Sequence, residues 1–345
     1  MDAARARLAG DASKRRYERL TRGGAAAILM DAPPAEETAA CPPDADERTR
    51  RDLGYNAMAR LAGPNLDAFL SVAEELRGLG FSAPETYAAD PDAGFALLED
   101  LGDNLFARAI PAGARESDLY RAAVALLARL HASPPREMLN NGWRLQHYDR
   151  LALETEIELL LDWYLPHVAG GAPGAEARRA FLSAWAQPLD RMAASPRTLV
   201  LRDYHAENLI WLPERAGLAR IGLLDFQDAV LGPDAYDLVS LLEDARRDVA
   251  PALAAELIEQ YCSLRRSISP DFDADRFCTD YAICGAQRNT KIIGIFMRLA
   301  HRDGKTQYLR LMDRVLRHLI CDLRCPALDD VRAWHDEFAP LGEAR

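Results

Sequence analysis

This sequence predicts an α+β fold of two unequal lobes, a small sheet-containing lobe followed by a larger, mainly helical one. Three observations carry that expectation. The chain has 345 residues, more than the ~250–300 at which a single core usually stops growing, so two compact bodies are expected. Strand-turn-strand patterns cluster before about Leu101, and apolar residues recur mostly at helical spacing after it. A composition of 49% hydrophobic and 28% charged residues is that of a globular chain and excludes a disordered or collagen-like one.

In chain order, Arg16–Thr21 and Ala25–Asp31 flank Arg22-Gly23-Gly24, which predicts a tight β-hairpin. Residues 32–50 are rich in Pro, Asp and Glu with little apolar periodicity, and read as a surface loop. Asn65 stands where an N-cap belongs, and Leu66, Phe69, Leu70, Ala73 and Leu76 follow at helical spacing until Gly78 and Gly80. Glu85–Ala89 and Phe95–Leu98, around the turn at 90–94, predict a second strand pair. Beyond Leu101, Leu119, Ala123, Leu126, Leu127 and Leu130 mark a helix that ends before Pro134-Pro135, and Leu151–Leu165 marks another. Thr198–Arg202, Asn208–Leu212 and Ala219–Phe226 form an island of short strands, and everything after Ala235 reads as helix. The expected lobes are residues 1–101 and 102–345.

Charge and composition narrow the function. Lys plus Arg total 42 against 53 Asp plus Glu, a formal charge of -11 that disfavours nucleic acid as a partner. No apolar run approaches the ~18 residues of a membrane span, and the N-terminus has no apolar signal region, so a cytoplasmic location without membrane attachment is expected. The partners expected are small molecules, with no obligate protein partner. The six cysteines read as reduced core thiols; Cys321 and Cys325 lie one helical turn apart, but neither paired His nor further Cys completes a metal site. Only Lys14, Lys291 and Lys305 are lysines, which leaves few places for lysine-dependent chemistry.

The informative run is 199–209, Leu-Val-Leu-Arg-Asp-Tyr-His-Ala-Glu-Asn-Leu, followed at 221–228 by Ile-Gly-Leu-Leu-Asp-Phe-Gln-Asp. A carboxylate, Asp203, leaves one strand, an amide, Asn208, enters the next, and a second carboxylate, Asp225, ends a third. If those strands pair, the three groups surround one loop mouth. Magnesium-assisted phosphoryl transfer needs such a set: an acceptor that orients the attacking hydroxyl and two oxygen ligands for ions on the nucleotide phosphates. Positioning and charge stabilisation do most of that catalysis.

In these residues the chain resembles the aminoglycoside phosphotransferase family of the protein-kinase-like superfamily, whose pattern runs H-x-D-x-x-x-x-N and then a strand ending in Asp. The resemblance implies a two-lobed protein-kinase-like fold that uses ATP and Mg2+, with Asp203 catalytic and Asn208 and Asp225 as metal ligands. His205 matches the second His that many small-molecule kinases carry, and Leu201 replaces the first His. A superfamily kinase places a Lys on the third strand to hold the phosphates, but Met30 occupies that place. The substitute would come from Lys14, Arg15 or Arg16, and Glu74 or Glu75 would lose its usual ion-pair partner. Asp11–Ser13 with Arg15–Tyr17, Ile28–Pro34, Leu224–Leu231 with Tyr236–Leu242, and Gln287–Asn289 through Gly294–Phe296 further resemble the bacterial N-acetylmuramate/N-acetylglucosamine anomeric kinases. That family implies phosphorylation of an amino sugar at its anomeric hydroxyl, in recycling of cell-wall sugar.

The same resemblance makes Leu97–Gly102 the hinge between lobes, with backbone groups near Glu99 and Leu101 reading adenine. Arg202 would steady the loop or the phosphates. His205 either touches substrate or supports Asp203, while Asp228 and Asp237 would stand behind the site, Asp237 alternatively as a helix cap. Arg288, Lys291, Arg298 and Arg302 form a basic stripe that is either a solvated face or brings Arg288 or Lys291 to the lactyl carboxylate of a muramic acid. Glu156 and Glu158 are surface charges or acceptors for sugar hydroxyls, Glu158 reading rather as surface. Gly304-Lys305-Thr306 lacks the upstream Gly and strand of a P-loop and reads as a turn. Other readings of the core motif are a kinase of another small alcohol, such as an aminoglycoside, choline or homoserine, and a nucleotide-binding pseudokinase.

Overall fold

The computed structural model describes residues 3–8, 15–33, 41–42, 44–61, 66–168 and 170–341. Lys14 and the expected N-cap Asn65 lie outside them. The chain opens with strands β1 (Ala4–Arg7), β2 (Arg16–Arg22) and β3 (Ala25–Asp31), helices α1 (Glu47–Leu53) and α2 (Leu66–Gly78), then β4 (Thr86–Asp90) and β5 (Phe95–Glu99). Helices α3 (Phe106–Ala109), α4 (Glu116–Ala132), α5 (Arg150–Leu159), α6 (Leu165–Val168) and α7 (Ala175–Ala194) follow. Four short strands come next, β6 (Arg197–Val200), β7 (Leu209–Trp211), β8 (Ile221–Leu223) and β9 (Val230–Pro233). The chain closes with α8 (Tyr236–Leu242), α9 (Pro251–Ile268), α10 (Ala274–His301), α11 (Met312–Asp322) and α12 (Asp329–Phe338). Two compact units result, Met1–Gln146 with Leu201–Val230, and His147–Val200 with Leu231–Arg345.

The first unit holds a five-stranded antiparallel sheet in the order β1-β2-β3-β5-β4. Gly23 (φ 58°) and Gly24 (φ 86°) both take the left-handed backbone that a twist-matched hairpin turn requires. Met30 lies on the central strand, paired with Tyr17 and Ala96 and fully buried. Two elements depart from expectation. β1 precedes the predicted sheet; its Ala-Arg-Ala-Arg sequence is exposed throughout and so carries no apolar alternation. α1 ends the expected 32–50 loop, set by the Asp46 side chain accepting from Thr49 N at 2.8 Å rather than by an apolar stripe. The strand island also divides. β7 and β8 pair as a hairpin, Leu209 opposite Leu223 and Trp211 opposite Ile221, while β6 pairs with β9, whose Val-Leu-Gly-Pro sequence gives little strand signal. The hairpin is seated on an apolar cluster of Leu101, Ile210 and Leu212 with Leu105 and Leu224.

In the second unit the 28-residue α10 is the spine, started by Asp273 accepting from Arg276 N at 2.9 Å. α5, started likewise by Asp149 accepting from Ala152 N at 3.0 Å, runs through a π-helical turn at Leu160–Tyr164 into α6 and packs along α10. Close approach there depends on Gly294: a Cβ would fall 2.4 Å from the Leu159 carbonyl carbon. Gly294→Ala is therefore expected to cost on the order of 1–3 kcal/mol or more and to lower Tm by several degrees, read by thermal melting. A Tm within about one degree of the parent would contradict the packing.

The expected core cysteines are only partly so: Cys41, Cys262 and Cys284 are buried, but Cys278 and Cys321 are exposed. Gly304 takes φ 68° in the turn after α10, as its turn reading requires. Among the described residues no helix is long and apolar enough to cross a membrane.

Candidate active site

The loop between Leu201 and Asn208 is a closed backbone turn with a carboxylate at one end and an amide at the other. Asp203 N donates to Leu201 O at 2.9 Å, and Asn208 N donates to His205 O at 2.8 Å. The Asn208 side chain crosses the loop, Nδ2 donating to Asp203 O at 3.0 Å. The loop is pinned from outside by Tyr204, whose hydroxyl donates to Ala123 O at 2.9 Å, and by Ala206, whose carbonyl accepts from Ala107 N at 3.0 Å. Leu224 N donates to Asn208 O at 3.0 Å, prolonging the β7–β8 ladder and delivering Asp225 next to the loop.

Asp225 adopts φ 56°, a left-handed conformation that Asp tolerates better than most residues. Its Oδ1 accepts from Gln227 Nε2 at 2.9 Å and faces Arg15 Nη1 at 3.3 Å. Desolvation and the charge of Asp203 hold the Asp225 carboxyl above its usual range, against the pull of Arg15 and Gln227. The carboxyl nevertheless keeps 43% of its side-chain surface exposed. The structure thus brings Asp203, Asn208 and Asp225 together, as the sequence motif predicts.

These residues suit magnesium. The bond to Asp203 O commits the Asn208 nitrogen and leaves Oδ1 as the atom offered to a cation. An oxygen-only donor pair beside two mutually repelling carboxylates is one that a hard cation relieves. Among the described residues no group of three His, Cys, Asp or Glu is arranged to hold a metal. A cation here would therefore complete its shell with water and phosphate oxygens, as magnesium commonly does.

The other expected residues fall in several places. His205 is buried, its Nε2 3.4 Å from Asn208 Nδ2, beside the loop amide. Arg202 is buried with φ 70°, and its Nη1 donates to Arg60 O at 2.8 Å. Asp228 pairs with Arg60, Oδ2 to Nε at 3.0 Å. Arg15 is 11% exposed and reaches Asp225, whereas Arg16 is 64% exposed with Asp31 at 3.9 Å. Glu99, at the end of β5, accepts from Glu85 N at 3.2 Å and pairs with Arg215, and Leu101 is part of the apolar cluster. Glu75, one of the two glutamates whose ion-pair partner the missing lysine leaves open, pairs with Arg136 at 3.2 Å.

In the second unit, Asp237 is fully buried in the first turn of α8, where Ala235 takes the N-cap position, so the cap reading is corrected. The solvated reading is corrected for Arg288 and Lys291, where α10 packs against α5, α8 and α11, whereas Arg302 at the end of the stripe stays exposed beside Asp303. Arg288 is buried and donates from Nη2 to Ser240 Oγ at 2.9 Å. Lys291 Nζ lies 2.8 Å from Oε1 of the fully buried Glu156 and donates to Tyr236 O–H at 3.2 Å. Glu156 Oε2 accepts from Gln287 Nε2 at 3.0 Å and from the Tyr148 hydroxyl, so Glu156 is no surface charge. Glu158 pairs with Arg178 at 2.9 Å, and burial raises its carboxyl pKa.

Two arginines without a signal in the sequence make long-range ties in the first unit. Arg19 forks to Asp100 (Nε–Oδ2 2.6 Å) and Asp103 (Nη1–Oδ2 2.7 Å), tying β2 to the segment after β5. Arg60 joins the loops that follow β6 and β8. Neither has a local signal, because each partner lies tens of residues away or more.

Comparison with known proteins agrees with this geometry. A profile of the phosphotransferase enzyme family matches residues 5–277. The chain is 45% identical to the N-acetylmuramate/N-acetylglucosamine kinase of Caulobacter vibrioides, over 100% of this chain and 94% of that protein. It is 30% identical to the protein of the same name from Pseudomonas aeruginosa, over 96% and 85% of the two chains. A choline kinase structure from Streptococcus pneumoniae shares the fold at a TM-score of 0.56 and 15% identity, over 93% of this chain and 95% of that one. A family match over most of the chain, and full-length identity at this level, mean that the chain belongs to the phosphotransferase enzyme family and, within it, to the N-acetylmuramate/N-acetylglucosamine kinases.

Proposed function

We propose that the protein transfers the terminal phosphoryl group of ATP to the anomeric hydroxyl of N-acetylmuramate and N-acetylglucosamine, giving the sugar 1-phosphate and ADP. The observation that carries this reading is the convergence of Asp203, Asn208 and Asp225 in a chain 45% identical to an N-acetylmuramate/N-acetylglucosamine kinase. Asp203 orients the sugar hydroxyl and accepts its proton late in the transfer. Asn208 Oδ1 and the Asp225 carboxylate hold Mg2+, which when bound neutralises charge on the nucleotide phosphates. Arg202 steadies the loop that carries Asp203, with Asp228 and Asp237 standing behind the site.

Residues 1–101 form the nucleotide lobe in this reading and 102–345 the catalytic and sugar lobe. Backbone groups at Glu99 and Leu101 read the adenine. Lys14, Arg15 and Arg16 supply the phosphate-binding charge that Met30 cannot. Arg15 is the best placed of the described pair, since its guanidinium already reaches Asp225. His205, Arg288, Lys291 and Glu156 are assigned to the sugar, Lys291 through a side chain that is 13% exposed. The role fits cytoplasmic recycling of cell-wall amino sugars.

Transfer of labelled phosphate from ATP tests the assignment, across N-acetylmuramate, N-acetylglucosamine, choline, homoserine and an aminoglycoside. Label is expected on the two N-acetylated sugars, in an acid-labile anomeric phosphate. Label on another alcohol alone would reassign the substrate, and ATP bound without turnover on any acceptor would make the chain a pseudokinase.

A further inference from the structure

The non-glycine residues with left-handed backbone among those described are Leu61 (φ 68°), Arg202 (φ 70°) and Asp225 (φ 56°). They lie far apart in sequence, yet one short segment links them. Asn56–Arg60 is a π-helical turn, closed by Leu61 N donating to Asn56 O at 2.8 Å. Its wide ring leaves carbonyls turned outward, and arginines cap them: Arg50 donates to Ala57 O (3.1 Å) and Met58 O (2.7 Å), and Arg202 to Arg60 O (2.8 Å). The Arg60 side chain then reaches the other way, to Asp228 Oδ2 at 3.0 Å. Arg202 precedes Asp203, and Asp228 follows Asp225 by three residues. Residue 60 therefore holds the Asp203 loop by its carbonyl and the Asp225 loop by its guanidinium. Phe69 of α2 stacks on Phe226 at 4.9 Å, so the Asp225 loop is also pressed from the helix that follows this turn.

Strained backbone persists where its surroundings over-determine it, and it collects at functional sites, as π-turns do. From this juxtaposition we infer that Arg60 is a positioning residue for phosphoryl transfer. It sets the spacing between the carboxylate that orients the acceptor and the carboxylate that takes the metal, and touches neither nucleotide nor sugar. The inference rests on the phosphotransfer reading of the site. Removing the Arg60 side chain leaves the carbonyl bond to Arg202 intact and deprives Asp228 of its cation; Asp228 Oδ1 is already buried without a hydrogen-bond partner among the described residues. The Asp225 loop would then sample positions less able to hold the cation, while the sugar contacts stay unchanged.

The test compares the full-length parent, Arg60→Ala and Arg60→Lys. Turnover of N-acetylglucosamine is followed as Mg2+ is titrated, with kcat and sugar KM resolved separately, and amide hydrogen exchange is measured over residues 225–228. For Arg60→Ala, kcat is expected to fall about tenfold and the half-saturating Mg2+ concentration to rise by a similar factor, as for other groups that orient metal ligands. Sugar KM should stay within about twofold, and the 225–228 amides should exchange faster. Arg60→Lys, which keeps the cation, should recover most of each change. Unchanged kcat and Mg2+ dependence in Arg60→Ala would overturn the inference, as would an Arg60→Lys enzyme equally impaired, or a loss confined to Tm. If the parent itself turns over no acceptor, the phosphotransfer reading fails instead, and faster exchange at 225–228 in Arg60→Ala alone, reversed by lysine, still decides whether the clasp exists.

Discussion

Asp203→Asn is expected to lower kcat by about 10²–10⁴-fold, the usual contribution of a positioned proton acceptor, with the KM for ATP changed by no more than a few-fold. Asparagine is nearly isosteric, and two of the bonds that shape the loop use backbone atoms of residue 203: Asp203 N to Leu201 O and Asn208 Nδ2 to Asp203 O. The loop should keep its form and lose only the group that orients the hydroxyl and accepts its proton. A second consequence separates this outcome from misfolding. The Asp203 charge helps raise the Asp225 carboxyl pKa, so the variant should ionise Asp225 more readily and still bind Mg2+ through Asp225 and Asn208, somewhat more weakly because one attracting charge is gone. Steady-state kinetics and a Mg2+-dependent thermal shift check both. A kcat within about tenfold of the parent would remove Asp203 from the chemistry.

Lys291→Ala is expected to be among the most damaging substitutions to stability. Glu156 is fully buried, and Lys291 is its paired cation at 2.8 Å. Removing one partner of a buried pair typically costs about 3–5 kcal/mol, because the remaining charge is uncompensated. A fall in Tm on the order of 5–10 °C follows. Glu156→Gln in a Lys291→Met background removes both charges at similar volume and should restore most of the loss. Sugar KM measured in that stabilised double variant tests the sugar assignment apart from folding.

Legibility in the sequence followed the range of the interactions. The β2–β3 hairpin was readable because two glycines sit between extended runs, and α2 because its apolar residues repeat at helical spacing. β1 and α1 escaped for the opposite reason: one is exposed throughout and the other is held by a cap rather than by an apolar face. The solvated reading of Arg288 and Lys291 failed because α10 is covered on several sides, and a charged stripe of helical spacing does not reveal whether partners wait opposite it.

By itself the sequence determined the small sheet's hairpins, the strand-loop-strand run that spaces Asp203, Asn208 and Asp225, and the class of chemistry such groups perform. These rest on local rules of turn geometry, periodicity and residue chemistry, all of which operate over a few neighbouring positions. Only the tertiary structure decided that Arg15 faces Asp225, that Lys291 neutralises Glu156, and that Arg60 joins two loops 142 and 168 residues further along the chain. Charges meet across such separations only when the core has packed. The fold selects their partners by where it brings side chains, and no nearby residue records the choice.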